Sequence, residues 1–193
     1  MSSLILIGAG GHARSVIDII ETYNEWKIYG LIGTQKEIGE KILGYKVIGT
    51  DEDLYNIYSK CNNAIIALGK IGKCDKREIL EKELKKLDFH FPIIKSDNSF
   101  VSKHSAIGYG TSIGHGVIIN AGSKIGSHCI INTKTLIEHD CIIRDHCHIS
   151  TGVIINGGCE IGESSFVGSG SIIREGVKIP PNTVISAGKR VMG

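Results

Sequence analysis

The chain has 193 residues, enough for one large domain or two small ones. Its 22 lysines and arginines against 20 aspartates and glutamates leave a formal charge of +2, which gives no electrostatic reason to expect a nucleic acid or a membrane surface as a partner. The first apolar run, Leu4 to Ile7, is too short for a secretion signal, and no run is long enough to span a bilayer. We therefore expect a soluble cytoplasmic protein whose cysteines are reduced.

The first part of the chain, residues 1–95, alternates short apolar runs with charged helical stretches. Three apolar runs have the length and composition of buried strands: residues 4–7, 27–32 and 64–68. Three stretches have helical patterns: the one that follows Gly8-Ala-Gly-Gly-His12, one that starts with a capping box at Thr50, and residues 73–87. This alternation of strand and helix predicts an α/β domain with a small parallel sheet.

The second part of the chain repeats every six residues. Every sixth residue is isoleucine or valine without a slip: Val101, Ile107, Ile113, Ile119, Ile125, Ile131, Ile137, Ile143, Ile149, Ile155, Ile161, Val167, Ile173, Ile179, Ile185 and Val191. Four residues after most of these lies a small side chain, and four cysteines fall in this column as small apolar fillers: Cys129, Cys141, Cys147 and Cys159. Glycine or asparagine often follows the aliphatic residue, as a sharp corner requires.

A six-residue unit with one inward aliphatic residue, one inward small residue and a corner closes a triangle after three units. The spacing therefore predicts a parallel β-helix with 18-residue coils about 4.8 Å apart, in which residues 18 apart are vertical neighbours. An antiparallel sandwich would need period-two alternation and irregular loops, which are absent from residues 101–191.

Three groups of residues resemble one family of hexapeptide acyltransferases, the sialic acid O-acetyltransferases and nucleotide-4-amino-sugar N-acetyltransferases. They are Gly8-Ala-Gly-Gly-His12, Ala67-Leu-Gly-Lys70 with Arg77, and the segment from Asn132 through Glu138-His-Asp140 to His148. The resemblance implies a Rossmann-like acceptor-binding domain over residues 1–95 and a left-handed parallel β-helix over residues 96–193. It also implies acetyl-CoA as co-substrate and active sites between the subunits of a homotrimer.

Acetyl transfer from a thioester needs a base for the acceptor proton and a donor for the developing oxyanion. His139 occupies a corner position of its hexad and is followed by a carboxylate, Asp140. In the family a histidine at this point is the general base and the adjacent acid fixes its tautomer, so the resemblance implies these roles here. Many relatives carry glutamate at the position of Asp140. The aspartate side chain is shorter and extends less far towards the histidine.

Gly157 follows His139 by 18 residues, which puts it one coil further along the same corner with no side chain to block approach. We expect its backbone N–H to meet the thioester carbonyl of acetyl-CoA, in agreement with the family. The alternative is that Gly157 only turns a corner.

The resemblance implies further contacts in the repeat region. His148 and Ala187 would contact acetyl-CoA, and Lys189 and Arg190 would bind its phosphates, unless these two cations form only a basic tail. Asn132 would line the acceptor pocket, unless it only turns a corner as other asparagines of the repeat do.

The glycine loop after the first strand supports two interpretations. Its spacing fits the dinucleotide fingerprint, but an NAD site also needs an acidic residue about 20 positions further on, and the second strand ends in Leu31-Ile-Gly-Thr34. In the family this loop faces the sugar or nucleotide acceptor, which implies acceptor contacts for five residues: Gly10, Gly11, His12, Gly69 and Lys70. Relatives that use UDP-sugars often carry acidic residues near positions 32–34, which this chain lacks, so the resemblance disfavours UDP. Lys70 favours an anionic group such as a phosphate or a carboxylate instead.

The resemblance thus implies an acetyl-CoA-dependent N-acetyltransferase that acts on a nucleotide-activated amino sugar of bacterial surface glycan biosynthesis. An O-acetyltransferase of sialic acid or a related nonulosonic acid is the alternative, and a non-catalytic scaffold is a second one. Hexapeptide proteins of the gamma-class carbonic anhydrase type hold a metal through three histidines. His139, His146 and His148 form no evident triangle, so we expect no metal.

Overall fold

The computed structural model describes residues 2–22, 25–69 and 76–193. Within these ranges the chain forms two compact units, one of residues 2–69 with 76–92 and one of residues 93–193. The division falls three residues before the expected one at 95/96, because Ile94 and Lys95 pair with Ser112 and Ile113 and so belong to the repeat.

The first unit is built on a five-stranded sheet, with two helices along the chain between its strands and a third after the last strand. The strands are β1 (Ser2–Ile7), β2 (Trp26–Ile32), β3 (Lys41–Ile42), β4 (Tyr45–Gly49) and β5 (Ala64–Ile66), and the helices are α1 (Gly11–Thr22), α2 (Leu54–Tyr58) and α3 (Lys76–Lys86). The strand order is β3-β4-β2-β1-β5, and only β3 runs antiparallel to its neighbour. This is the predicted α/β domain.

The β3–β4 hairpin has no counterpart in the sequence-based prediction. Its two-residue turn is formed by Leu43 and Gly44, which both have positive φ, 48° and 90°. The Thr50 capping box is present, since the Thr50 N–H donates to Asp53 Oδ2 at 2.9 Å, but it starts a short 3-10 helix before α2. Within the described residues, no helix combines the length and the apolar character that crossing a bilayer requires.

The second unit is the predicted left-handed β-helix, a coil of two-residue strands that repeats every 18 residues. Its first face consists of β7 (Phe100–Val101), β10 (Ile118–Ile119), β13 (Leu136–Ile137), β16 (Ile154–Ile155), β19 (Ile172–Ile173) and β22 (Arg190–Val191). Its second face consists of β8 (Ala106–Ile107), β11 (Lys124–Ile125), β14 (Ile142–Ile143), β17 (Glu160–Ile161) and β20 (Lys178–Ile179). Its third face consists of β6 (Ile94–Lys95), β9 (Ser112–Ile113), β12 (Ile130–Ile131), β15 (His148–Ile149), β18 (Phe166–Val167) and β21 (Val184–Ile185).

The core of this unit is the predicted column of aliphatic residues, which point inward as the second residue of each strand. The column of small residues does more than fill space. Ser123 Oγ donates to the Glu138 carbonyl at 2.6 Å, and Cys141 Sγ donates to the Asn156 carbonyl at 3.2 Å. Such bonds satisfy backbone carbonyls at the corners, so the cysteines are buried donors as well as fillers.

Candidate active site

His139 and Asp140 lie at the corner between the first and second faces, after β13 and before β14. Asp140 has φ of 58°, a left-handed conformation that aspartate tolerates better than most residues. Its Oδ2 is 2.9 Å from His139 Nδ1, and the two side chains are 67% and 71% exposed in the single chain. With Nδ1 bonded to the carboxylate, Nε2 is the ring nitrogen left to accept a proton.

Gly157 lies against the imidazole of His139, one coil further along the same corner. The next amide, Gly158 N–H, donates to the His139 carbonyl at 3.0 Å, and a Cβ built on Gly157 would stand 2.7 Å from His139 Nε2. Within the described residues the Gly157 N–H donates no hydrogen bond. The corner therefore combines a proton acceptor with an amide donor that has no partner among the described residues, and acyl transfer requires both kinds of group.

Two other predicted site residues lie elsewhere on the coil. His148 is in β15 on the third face, buried, with its ring edge-to-face against Phe166 at 5.1 Å between centroids. Asn132 is at the corner between the third and first faces, where its Oδ1 accepts the Thr133 N–H at 2.8 Å. Because a corner of a triangular coil is opposite its third face, a single chain does not bring His148 to His139. The nine residues from His139 to His148 are half of an 18-residue coil, so the spacing in the sequence already indicates that the two histidines lie on opposite sides.

The three predicted coenzyme A residues near residue 190 belong to the last coil. Ala187 and Lys189 lie at the corner between the third and first faces, and Arg190 begins β22 on the first face. All three are exposed. Ala187 and Lys189 therefore lie at the same corner as Asn132, and not at the corner of His139.

The predicted acceptor residues of the first unit surround the junction of β1 and α1. Gly10 and Gly11 open the helix, and a Cβ on either would meet nothing within 4 Å. Gly69 lies beside His12, since a Cβ built on Gly69 would be 3.7 Å from the His12 Cβ. Lys70, the fifth predicted acceptor residue, lies outside the described residues.

A cavity of about 470 Å³ lies at this junction. Gly8 and Gly10 line it from the glycine loop, and Thr34, Glu37 and Asp51 line it from the segments after β2 and β4. Gly8 has φ of 121°, and a Cβ there would be 2.7 Å from Leu68 Cδ2, so only glycine fits this loop. The cavity adjoins the exposed amides at the start of α1, which suits a ligand with phosphate groups.

Thr34 and Glu37 are cavity residues that the sequence analysis did not find. Glu37 accepts hydrogen bonds from the Thr34 N–H at 2.7 Å and the Thr34 hydroxyl at 2.8 Å. These bonds, the backbone one first, lower the pKa of the Glu37 carboxyl. The spacing Thr34-x-x-Glu37 is a capping box of the same kind as the one recognised at Thr50, so this signal was available.

The described residues contain no group of three or more histidine, cysteine, aspartate or glutamate side chains that could hold a metal ion. His139 and His148 lie on opposite sides of the coil.

Comparisons with known proteins match both units. Residues 3–84 match the model of the PglD N-terminal domain. GDP-perosamine N-acetyltransferase of Escherichia coli O157:H7 is 30% identical over 145 residues, which are 72% of this chain and 63% of the relative. The alignment therefore spans less than two thirds of that relative's length.

Two solved structures have the same fold along the whole chain. One is a histidine-to-asparagine variant of perosamine N-acetyltransferase from Caulobacter crescentus in complex with CoA and GDP-perosamine, with a TM-score of 0.92 and 28% identity over 100% of this chain and 89% of that one. The other is the acetyltransferase domain of PglB from Neisseria gonorrhoeae FA1090, with a TM-score of 0.89 and 25% identity over 100% of this chain and 92% of that one. Residues 3–84 are thus similar to a PglD N-terminal domain, and the resemblance of the chain to the PglD-type sugar acetyltransferases, predicted from its sequence, is confirmed.

Proposed function

We propose that this protein is an acetyl-CoA-dependent N-acetyltransferase that acts on a nucleotide-linked amino sugar of bacterial surface glycan biosynthesis. The observation that carries the proposal is the imidazole of His139, whose Nε2 faces the space beside the bare Gly157. Support comes from the similar proteins, since PerB from Caulobacter crescentus has been crystallised with CoA and GDP-perosamine. The cytoplasmic location expected from the sequence stays a prediction.

In the proposed reaction the amine nitrogen of the sugar attacks the carbonyl carbon of the acetyl thioester. His139 Nε2 takes a proton from that nitrogen, and the Gly157 N–H donates to the oxyanion of the tetrahedral intermediate. The carbon–sulfur bond then breaks, the proton passes to the departing thiolate, and the products are the amide and coenzyme A. Asp140 holds the Nδ1 proton throughout, which keeps Nε2 available.

The nucleotide part of the acceptor is assigned to the cavity of the first unit. The exposed amides of Gly10 and Gly11 at the start of α1 suit the diphosphate, because a helix N-terminus carries a partial positive charge. Gly69 and His12 lie beside each other next to these amides in the same unit.

An apolar first face supports the proposal of a homotrimer. The outward residues of its first five strands are Phe100, Ile118, Leu136, Ile154 and Ile172, of which Phe100 is 58% and Ile118 is 40% exposed in the single chain, and the outward residue of the last strand, β22, is Arg190. Five such side chains in one stripe are typical of a surface that another subunit covers.

Three copies arranged around this face would complete the proposed active site. The corner between the first and second faces of one subunit would meet the corner between the third and first faces of the next. His139 of one subunit would then face Asn132 and Lys189 of the neighbouring subunit. The His148 that lies on this side would also belong to the neighbouring subunit. Such a trimer would explain why these residues lie on different sides of a single chain.

The experiment is an acetyl-transfer assay with GDP-, UDP- and CMP-linked amino sugars and with free sialic acids. We expect hydroxylamine-stable amide formation on a nucleotide-linked amino sugar, with kcat reduced at least about 10²-fold in His139→Ala and little change in acetyl-CoA affinity. Near-wild-type turnover by His139→Ala would refute the mechanism. Hydroxylamine-labile ester formation on a sialic acid would favour the O-acetyltransferase, and no transfer to any acceptor would favour a scaffold.

A further inference from the structure

The carboxylate of Asp140 lies over Gly122, its neighbour in the preceding coil. While Oδ2 is 2.9 Å from His139 Nδ1, Oδ1 occupies the space where a side chain of residue 122 would begin: a Cβ built on Gly122 would be only 2.2 Å from it. No real Cβ approaches an oxygen that closely, so the observed orientation of Asp140 exists only because residue 122 has no side chain.

The backbone around this contact holds both residues in place. The Asp140 N–H donates to the Ala121 carbonyl at 3.0 Å, and the Gly122 N–H donates to the His104 carbonyl at 3.1 Å. The two coils therefore cannot separate to relieve a clash without losing ladder bonds. Any added atom at residue 122 must be met by rotation of the Asp140 side chain, which carries Oδ2 away from His139.

Other glycines at the same corner position do not have this contact. Gly158 and Gly176 have positive φ, 69° and 71°, but a Cβ on either would meet nothing within 4 Å. Backbone conformation alone accounts for these two glycines. Gly122, with φ of 76°, has the same backbone requirement and, in addition, makes room for a carboxylate.

We propose that Gly122 is a positioning residue for catalysis, which acts by leaving the space that the Asp140 carboxylate needs in order to bind the Nδ1 side of His139. The proposal rests on the proposed function, in which His139 is the base. It assigns to residue 122 an effect on the rate of acetyl transfer that passes through Asp140 and not through substrate binding.

The test is a double-mutant cycle with Gly122→Ala, Asp140→Ala and the double variant. We expect Gly122→Ala to lower kcat about tenfold or more, with KM for acetyl-CoA and for the acceptor unchanged, because the loss affects only the orientation of the base. In the Asp140→Ala background the same substitution should have no further effect on kcat, because the group through which it acts is gone.

Gly44→Ala, in the turn of the β3–β4 hairpin, is the control. Gly44 has φ of 90°, and a Cβ there would meet nothing within 4 Å, so the substitution introduces backbone strain of the same kind without a clash. We expect Gly44→Ala to lower the melting temperature but to leave kcat near that of the unmodified enzyme. If Gly122→Ala does not fold, Gly122→Asn replaces it, since asparagine tolerates positive φ and its Cβ still meets Asp140.

Two results would overturn the proposal: a kcat for Gly122→Ala equal to that of Gly44→Ala, or effects of Gly122→Ala and Asp140→Ala on kcat that multiply in the double variant. Failure of the proposed function looks different, because His139→Ala would then keep its turnover. A large loss in His139→Ala beside an unaffected Gly122→Ala would refute only the role of Gly122.

Discussion

The imidazole of His139 fills the space that a side chain on Gly157 would occupy. A Cβ on Gly157 would stand 2.7 Å from both Cε1 and Nε2 of the ring, although the two residues are 18 apart in the chain. The ring can lie there because one turn of the coil returns the backbone to the same corner about 4.8 Å away.

Gly157→Ala is therefore expected to reduce acetyl transfer while leaving the fold intact. The backbone of Gly157 does not have positive φ, so alanine introduces no backbone strain, and the exposed ring of His139 can rotate away. We expect kcat/KM to fall about tenfold or more and the melting temperature to stay near that of the unmodified protein. Steady-state kinetics and thermal denaturation check this, and full activity in the variant would contradict a role for this contact.

The thiol of Cys141 is expected to stabilise the coil as a hydrogen-bond donor. Cys141→Ala leaves the Asn156 carbonyl without the Sγ donor and should lower the free energy of unfolding by about 1 kcal/mol. Cys141→Ser keeps a donor of the type that Ser123 supplies one coil earlier, so it should be at least as stable as the unmodified protein. Urea denaturation compares the three. Equal stability of the alanine and serine variants would show that the column only fills space.

The buried thiols should make the protein less stable at high pH. Burial raises the pKa of the Cys129 thiol well above its usual value, so the folded state keeps a proton that the unfolded chain releases. This contribution is fully present below the unfolded pKa of about 8.5 and is lost as pH rises above it. We expect the free energy of unfolding to fall above that pH, less steeply in Cys129→Ser. Rapid alkylation of Cys129 in the folded protein at pH 8 would contradict its burial.

Arg77 is expected to stabilise the end of β5, which leads to the predicted acceptor residue Gly69. Its buried Nη1 donates to the Ile66 carbonyl at 2.9 Å and to the Leu68 carbonyl. Arg77→Met removes these charge-assisted bonds and should lower the free energy of unfolding by about 2 kcal/mol. Lys82→Met, an exposed change on the same helix, is the control. A loss no larger than that of the control would show that these bonds do not stabilise the domain.

Particular residues show how much of the candidate site can be predicted from the sequence. The spacing of 18 was enough to predict that Gly157 lies beside His139, because the coil fixes this relation whatever the side chains are. The same arithmetic, applied to the nine residues from His139 to His148, places His148 on the opposite side of the coil, where the structure has it. The capping box of Thr34 and Glu37 could be recognised from the sequence, but its place on the cavity beside the glycine loop could not, because that depends on β2 lying next to β1 in the sheet.

The sequence by itself determined the coil, its register and the corner that carries His139, since a buried aliphatic residue every sixth position is a rule that depends only on distance along the chain. The tertiary structure alone decided the direction of the Asp140 carboxylate, its place over Gly122 and the donor role of the buried thiols. These features depend on backbone φ and on side-chain rotamers, which are set by the atoms of adjacent coils and leave no trace in the six-residue period.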